Sequence, residues 1–433
     1  MPLVRDRVYR IDKPLMLNGG MATQAMFDTT VEGLSEPRAR DDVRAASVSG
    51  SRTGIRLSLY DDLAAIEQDW RTFEEGADCT VFQTFDWLST WQRNIGARQG
   101  VTPAIVVGRL GDEVLFMFPF GLEAGGALRR VTWLGSYLCN YNAPLLGSRF
   151  SDRVGSGHFA QIWSDVQLLL RTHLRHDLID LEKMPARIGN QANPLMGLTV
   201  TPHVNDSYQT NLVGAWDSYY ATKRSSATRK NDRKKRKRLA DHGEIKFVTA
   251  TDPDQVVRSV DALIDEKRKS YALLGVQNMF EWPGYRDFFI DLANGAQSGR
   301  LVHVSRFEVG SAIAAANFGL TFRGRYYYIL AGYDDGELAR FGPGTAQLQD
   351  LLQYSFQHGI EQFDFTIGDE PYKREWCDVE TKLYDQVSPA TWRGWLAAGP
   401  LIVLRLVKRW VKRNPKVWSV VRKLRARLGS LRG

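Results

Sequence analysis

The chain has 433 residues, 43% hydrophobic and 24% charged, which excludes a low-complexity or fibrous protein and suffices for two domains with buried cores. Three cysteines (Cys79, Cys139 and Cys377) lie too far apart for a CxxC motif, so neither a disulfide framework nor a metal cluster is implied, in keeping with a reducing cytoplasm. The net charge of +8 hides two basic segments: twelve Lys/Arg and no acid from Trp392 onward, and ten basic residues with one acid over Lys223–Arg238, leaving the remainder at −13. The expected molecule is an acidic globule with two basic appendages, and no specific nucleic-acid partner is expected.

Residues 1–52 lack periodicity and read as a disordered arm. No apolar run follows Arg5, Arg7 and Arg10, so no secretory leader is expected, and no run reaches the ~18 apolar residues of a membrane span. A first domain is expected over 53–213. It opens on an alternating strand at Ile55–Leu59 and continues with helices over 61–76 and 84–95. A hairpin of Ala104–Leu110 and Val114–Phe120 turns at Gly111-Asp112. A strand at Val131–Leu134, a helix over 158–172 and a strand at Leu178–Leu181 follow.

A second domain is expected over 214–391. One long helix runs from Trp216 to about Asp241, stopped by Gly243. A strand at Ile245–Val248, helices over 253–273 and 283–296, and a second hairpin of Leu301–Phe307 and Ala312–Leu320 come next. A strand at Arg325–Leu330, a helix over 345–358 and a strand at Phe363–Ile367 complete it. Arg109–Leu122 resembles Arg306–Leu320, and the order of elements around each hairpin repeats. The expected fold class is therefore α/β (α+β), a duplicated domain in which each copy is a mixed, mostly antiparallel sheet flanked by helices.

Two segments carry candidate chemistry. Arg340-Phe-Gly-Pro-Gly-Thr345 opens a helix. Gly342 and Gly344 allow close approach, Thr345 can cap, Arg340 adds charge, and the helix N-terminus favours a phosphate. A plain strand-to-helix turn would use the same residues. The second segment is Phe363–Trp376. Alternation places Phe363, Phe365 and Ile367 on one face, and Asp364 and Thr366 on the other. Gly368 ends the strand, after which Asp369, Glu370, Tyr372, Lys373 and Arg374 crowd one turn. A carboxylate there, Asp369 or Asp364, can accept a proton, and Tyr372 can donate one to a leaving thiolate. Lys373 would orient them. A salt-bridged surface turn is the competing reading. Asn317, in an otherwise apolar strand, needs a buried partner that a cofactor amide or the core itself could supply.

These residues resemble the CelD/BcsL-type, BioF-like acetyltransferases of bacterial exopolysaccharide and cellulose clusters, and more distantly the Fem-type aminoacyltransferases. The matching pieces are Phe82–Trp91, Leu134–Tyr141, Arg229–Leu239, Gly332-Tyr-Asp with Pro343-Gly344, and Asp364-Phe-x-x-Gly-Asp-Glu-x-Tyr-Lys-Arg-x-Trp376. The resemblance implies two tandem N-acetyltransferase (GNAT) folds, with acetyl-CoA or another acyl-CoA as co-substrate and no metal. It implies an amine or hydroxyl acceptor, such as a sugar or lipid-linked sugar. Arg340, Gly342, Gly344, Thr345 and Asn317 become the cofactor-binding candidates. The glycines follow Arg340 by two and four residues, where the family loop has three and five. Transfer from aminoacyl-tRNA is the alternative within the class, and a non-catalytic scaffold of a polysaccharide-synthesis complex is the alternative outside it.

The basic run Lys223–Arg238 wraps every face of its helix, so it is either solvated or bound to an anion. The tail, 392–433, is amphipathic, with Trp410 and Trp418 beside Lys and Arg. It suits the anionic inner face of the cytoplasmic membrane, or packing on its own domain or a partner. The seven histidines show no metal-ligand spacing.

Overall fold

The computed structural model of the chain describes residues 46–48 and 54–421, apart from 156, 275–276, 296–297, 369, 415 and 420. Of the arm expected over 1–52, only Ala46–Val48 falls within these, and it forms a strand, β1. In chain order, β2 (Arg56–Tyr60) leads to helices α1 (Glu67–Gly76) and α2 (Phe85–Trp91). The hairpin of β3 (Val101–Leu110) and β4 (Glu113–Glu123) follows, then β5 (Arg130–Trp133), β6 (Leu145–Leu146), α3 (Phe150–Arg153), α4 (Phe159–His173) and β7 (Leu178–Pro185). A short hairpin of β8 (Arg187–Ile188) and β9 (Gln191–Ala192) and β10 (Thr201–Pro202) precede β11 (Ser207–Asn211). Then come α5 (Trp216–Lys223), α6 (Ser226–Ala240), β12 (Ile245–Thr249), α7 (Pro253–Leu274) and α8 (Tyr285–Asn294). The second hairpin joins β13 (Val302–Val309) to β14 (Ala312–Phe322) and is followed by β15 (Arg325–Tyr333), α9 (Pro343–Gln357) and β16 (Gln362–Ile367). The chain closes with α10 (Pro371–Trp376), β17 (Val379–Thr381), β18 (Leu383–Pro389) and α11 (Trp392–Arg413).

The expected duplication is present. Each half has a hairpin turning on a left-handed glycine, Gly111 at φ 59° and Gly310 at φ 61°, with a bulge at Gly108/Arg109 in one copy and Phe307/Glu308 in the other. Each hairpin is followed by an antiparallel strand, then a helix, then a strand that pairs in parallel: β7 with β5, and β16 with β15. The parallel contact is brief, two residue pairs in the first copy and three in the second, after which the strands part. Each parallel strand also carries one non-glycine residue at φ 60°, Lys183 and Thr366, beside its bulge.

The sheets exchange strands. The first runs β1-β2-β3-β4-β5-β7-β18-β10 and the second β12-β13-β14-β15-β16-β11-β17. Thus β11, before the boundary expected at 213/214, completes the second sheet beside β16, and β18, far beyond it, completes the first beside β7. That boundary divides the chain but not the sheets. One hydrophobic cluster also spans both halves, joining Phe82, Trp87, Trp91 and Tyr141 to Phe288, Phe289 and Tyr327. Trp87 meets Phe288 edge-on at 5.0 Å, and Phe82 meets Tyr327 at 5.7 Å.

Two expectations change. The single helix over 216–241 is two helices, because Ser225 caps a fresh start at α6 and Arg224 stays extended. Arg224 is held there by Glu375 and by the face of Trp376 at 5.2 Å. Ile367 does not share a face with Phe363 and Phe365. The left-handed Thr366 shifts the alternation, so those phenylalanines pack under α9 while Ile367 joins the cluster between the halves. The tail helix α11 runs unbroken through Gly399 and Pro400.

Candidate active site

Strands β15 and β16 pair at Arg325–Tyr327 and Gln362–Asp364, then diverge. A narrow cleft opens beyond that point, lined by Tyr328, Ala331, Gly332, Tyr333, Gly344, Gln347 and Tyr372. Its walls follow from the sequence. Gly332 has no side chain, so α7 lies directly against β15; a Cβ there would sit 2.9 Å from that of Glu266. Gly344 likewise lets α9 start against the Tyr333 ring, which a Cβ would approach to 3.0 Å. Gly342, at φ +68°, supplies the left-handed residue that turns the chain into α9. The helix begins on Pro343, and no side chain caps it. Its positive end therefore faces the cleft mouth without a side-chain acceptor.

The cations gather at that end. Arg340 is largely exposed, stacked on Phe341 at 4.7 Å and loosely paired with Glu337 at 3.7 Å. Helix α6 lies alongside α9, tied by Arg236 to Asp350 at 2.8 Å. This puts Lys235 Nζ 3.9 Å from where a Cβ on Gly342 would be. The basic run is thus not wholly a solvated face: one of its lysines stands beside the glycine loop. No signal within the run distinguishes Lys235 from its neighbours, since only the packing of α6 on α9 selects it.

Behind Tyr372, at the other end of the cleft, lies buried charge that does not itself line it. Lys373 donates to the Ile367 carbonyl at 2.8 Å and pairs with Glu370 at 3.0 Å. Tyr372 lines the cleft, and burial pushes its phenol well above the usual range. Lys267, on α7, is only 2% exposed. Burial lowers its amine to about 8, with Glu370 opposing the shift and Lys373 adding to it. The sequence does mark this lysine. α7 buries Val256, Val260, Leu263, Ile264 and Tyr271 at helical spacing, and Lys267 occupies that same face.

Asp364 lies elsewhere, at the seam between the halves. Its Oδ1 accepts from the Tyr141 hydroxyl at 2.7 Å and from the Thr366 N–H at 2.8 Å, and Arg325 stands 3.6 Å from Oδ2. Burial raises its pKa against the pull of Arg325. Asp369 is outside the described residues. Asn317 does not join the glycine loop. Its Nδ2 donates to Leu330 O at 2.9 Å and its Oδ1 accepts from Tyr326 at 2.7 Å, and His303 continues the chain at 3.0 Å. The core reading of this amide applies, because both its ends are engaged inside the sheet.

Residues 226–374, within the second half, match a family model described as the acetyltransferase (GNAT) domain. Comparison with curated proteins returns no match. Among solved structures the chain is similar to FemX, with a TM-score of 0.52 at 9% identity, covering 73% of this chain and 95% of that one. It is also similar to a conserved protein of unknown function from Bacteroides thetaiotaomicron, with a TM-score of 0.48 at 12% identity over 77% of this chain and 99% of that one. A tandem GNAT protein from the clavulanic acid biosynthesis pathway gives a TM-score of 0.41 at 13% identity, over 80% and 99%. At these identities the first likeness concerns the fold alone.

Proposed function

We propose that this chain is an acyltransferase of the CelD/BcsL kind. It moves an acetyl or other acyl group from acyl-CoA to an amine or hydroxyl of a sugar or lipid-linked sugar, in exopolysaccharide, cellulose or envelope synthesis. One observation carries the reading: Gly344, at the N-terminus of α9 that no side chain caps, and Tyr372 line the same narrow cleft between the parting strands. The residues fit the donor. Gly342 and Gly344 leave space at the helix end, and Thr345, Arg340 and Lys235 supply a hydroxyl and two cations for a pyrophosphate. The donor brings an activated thioester carbonyl.

In the proposed reaction the acceptor nitrogen or oxygen forms a bond to the acyl carbon, and the carbon–sulfur bond breaks. Lys267, as the neutral amine, takes the acceptor's proton. Tyr372 gives its proton to the departing thiolate, and Lys373 holds Glu370 in place between them. Asp364 serves as a positioning residue, joining the Tyr141 loop to β16.

Calorimetric titration with acetyl-CoA tests this. The expected result is saturable binding that weakens about tenfold, or ~1.4 kcal/mol, in each of Lys235→Ala and Arg340→Ala. Absence of binding, or binding indifferent to both changes, would overturn the donor assignment. Binding of charged tRNA in place of acetyl-CoA would move the reading to aminoacyl transfer.

A further inference from the structure

The first half contains a second cavity, of about 350 Å³, between β5, β7 and the covering helix α11. It has a polar floor. His203 is 2% exposed, and its Nδ1 lies 2.7 Å from Asp385 Oδ1, which also accepts from the Lys183 N–H at 3.0 Å. The carboxylate accepts from an N–H on Nδ1, leaving Nε2 as the second polar atom of the ring. Among the described residues neither that Nε2 nor Asp385 Oδ2 has a hydrogen-bond partner, although both are buried. Each such atom costs about 1–3 kcal/mol, and at His203, which lines the cavity, a ligand hydroxyl could recover it.

A metal ion is the first alternative, since Glu182, His203 and Asp385 bring ligand atoms within 4.8 Å of one another. The positive charge there is already supplied. Arg405 reaches from α11 to Asp180 at 2.8 and 2.9 Å, contacts Glu182, and stands 4.0 Å from Asp385. The wider site is balanced too. Glu123, Asp180 and Glu182, with Asp385 behind them, face Arg130, Arg405, Lys408 and Lys412. A charged head group therefore gains no net attraction, whereas a hydroxyl can both donate and accept. The roof is apolar, formed by Leu401, Leu404, Val407 and Val411 with Trp418 and Val421. Leu404 and Val407 are 44% and 50% exposed, so this apolar wall continues outward onto the helix surface.

We propose that this cavity binds a neutral, hydroxyl-bearing amphiphile, with its hydroxyl on His203 and its alkyl portion along α11. The volume suits a sugar-sized head with a short alkyl segment. The inference does not rest on acyl transfer, because binding is read with no acyl donor present.

The test uses the full chain and n-octyl-β-D-glucoside below its micellar concentration, followed by equilibrium dialysis. One molecule per chain is expected to bind. Val407→Glu and His203→Gln should each weaken it by at least ~10-fold, while Trp395→Glu, on the exposed outer face, should not. Octyl sulfate and octyltrimethylammonium should bind at least ~10-fold more weakly than the glucoside. His203→Gln disturbs a buried pair and could unfold the site, so Val407→Glu, at a half-exposed position, is the deciding variant. No binding, binding untouched by Val407→Glu, binding lost in Trp395→Glu, or equal binding of the charged heads would each overturn the proposal.

Discussion

Lys267 places a titrating amine where the helical pattern of α7 asks for an apolar side chain. Burial favours its neutral form, which sets the amine at about 8. Below that value it is charged and cannot accept a proton; above it the free amine can. The rate of acyl transfer is therefore expected to climb with pH and level off above about 8. Lys267→Gln should lower the rate by ~10²–10⁴ and flatten that limb, leaving acetyl-CoA affinity unchanged. A variant that keeps both the limb and the rate would remove Lys267 from the chemistry. Asn317 teaches the converse. It is as buried and as polar, yet both ends of its amide are matched by neighbours in the sheet, so its presence in an apolar strand reports packing.

At the scale of elements, α11 is held by a buried ion cluster. Arg405 lies among Asp180, Glu182 and Asp385, and burial raises the Asp180 carboxyl against the pull of that guanidinium. Arg405→Met would remove the guanidinium that these three carboxylates share, leaving Arg130 at 3.9 Å from Asp180. We expect it to cost about 3–5 kcal/mol, read as a lowered thermal midpoint, with a partial recovery at acid pH where the acids can protonate. An unchanged midpoint would show that α11 does not depend on this cluster. Most elements were legible from periodicity: the hairpins, α4, α7 and α9 lie within three residues of their expected spans. What could not be read is tertiary. The break at Ser225 depends on Glu375 and Trp376, more than 100 residues away. The displacement of Ile367 depends on one left-handed threonine, which no alternation pattern encodes. The turn after β16 was legible as a crowd of charges, but not that Asp364 would be drawn to Tyr141 of the other half.

At the scale of the molecule, exposed apolar surface is concentrated on one helix. Trp392, Trp395, Leu396, Val403, Leu406 and Trp410 project from α11 at helical spacing. No helix among the described residues is long and apolar enough to cross a membrane. Of the twelve basic residues from Trp392 onward, Arg405, Arg409 and Arg413 are paired with acids, and the remaining excess of positive charge would oppose a self-complementary contact between two copies and favour an anionic surface. We propose that this face rests on the bilayer. The chain should float with phosphatidylglycerol vesicles and not with phosphatidylcholine ones, and lose that behaviour in the double variant Trp395→Glu, Trp410→Glu. Flotation unaffected by the two changes would argue against the proposal.

The strand exchange has a consequence for synthesis. Leu181 of β7 waits for Gln386 of β18, a separation of about 200 residues, which a ribosome covers in roughly 10–40 s. During that interval the first half carries an open edge, with its backbone donors and acceptors unpaired beside an apolar core. The first half of the chain is thus finished last, and the nascent chain is most vulnerable to aggregation while its second half is still being made.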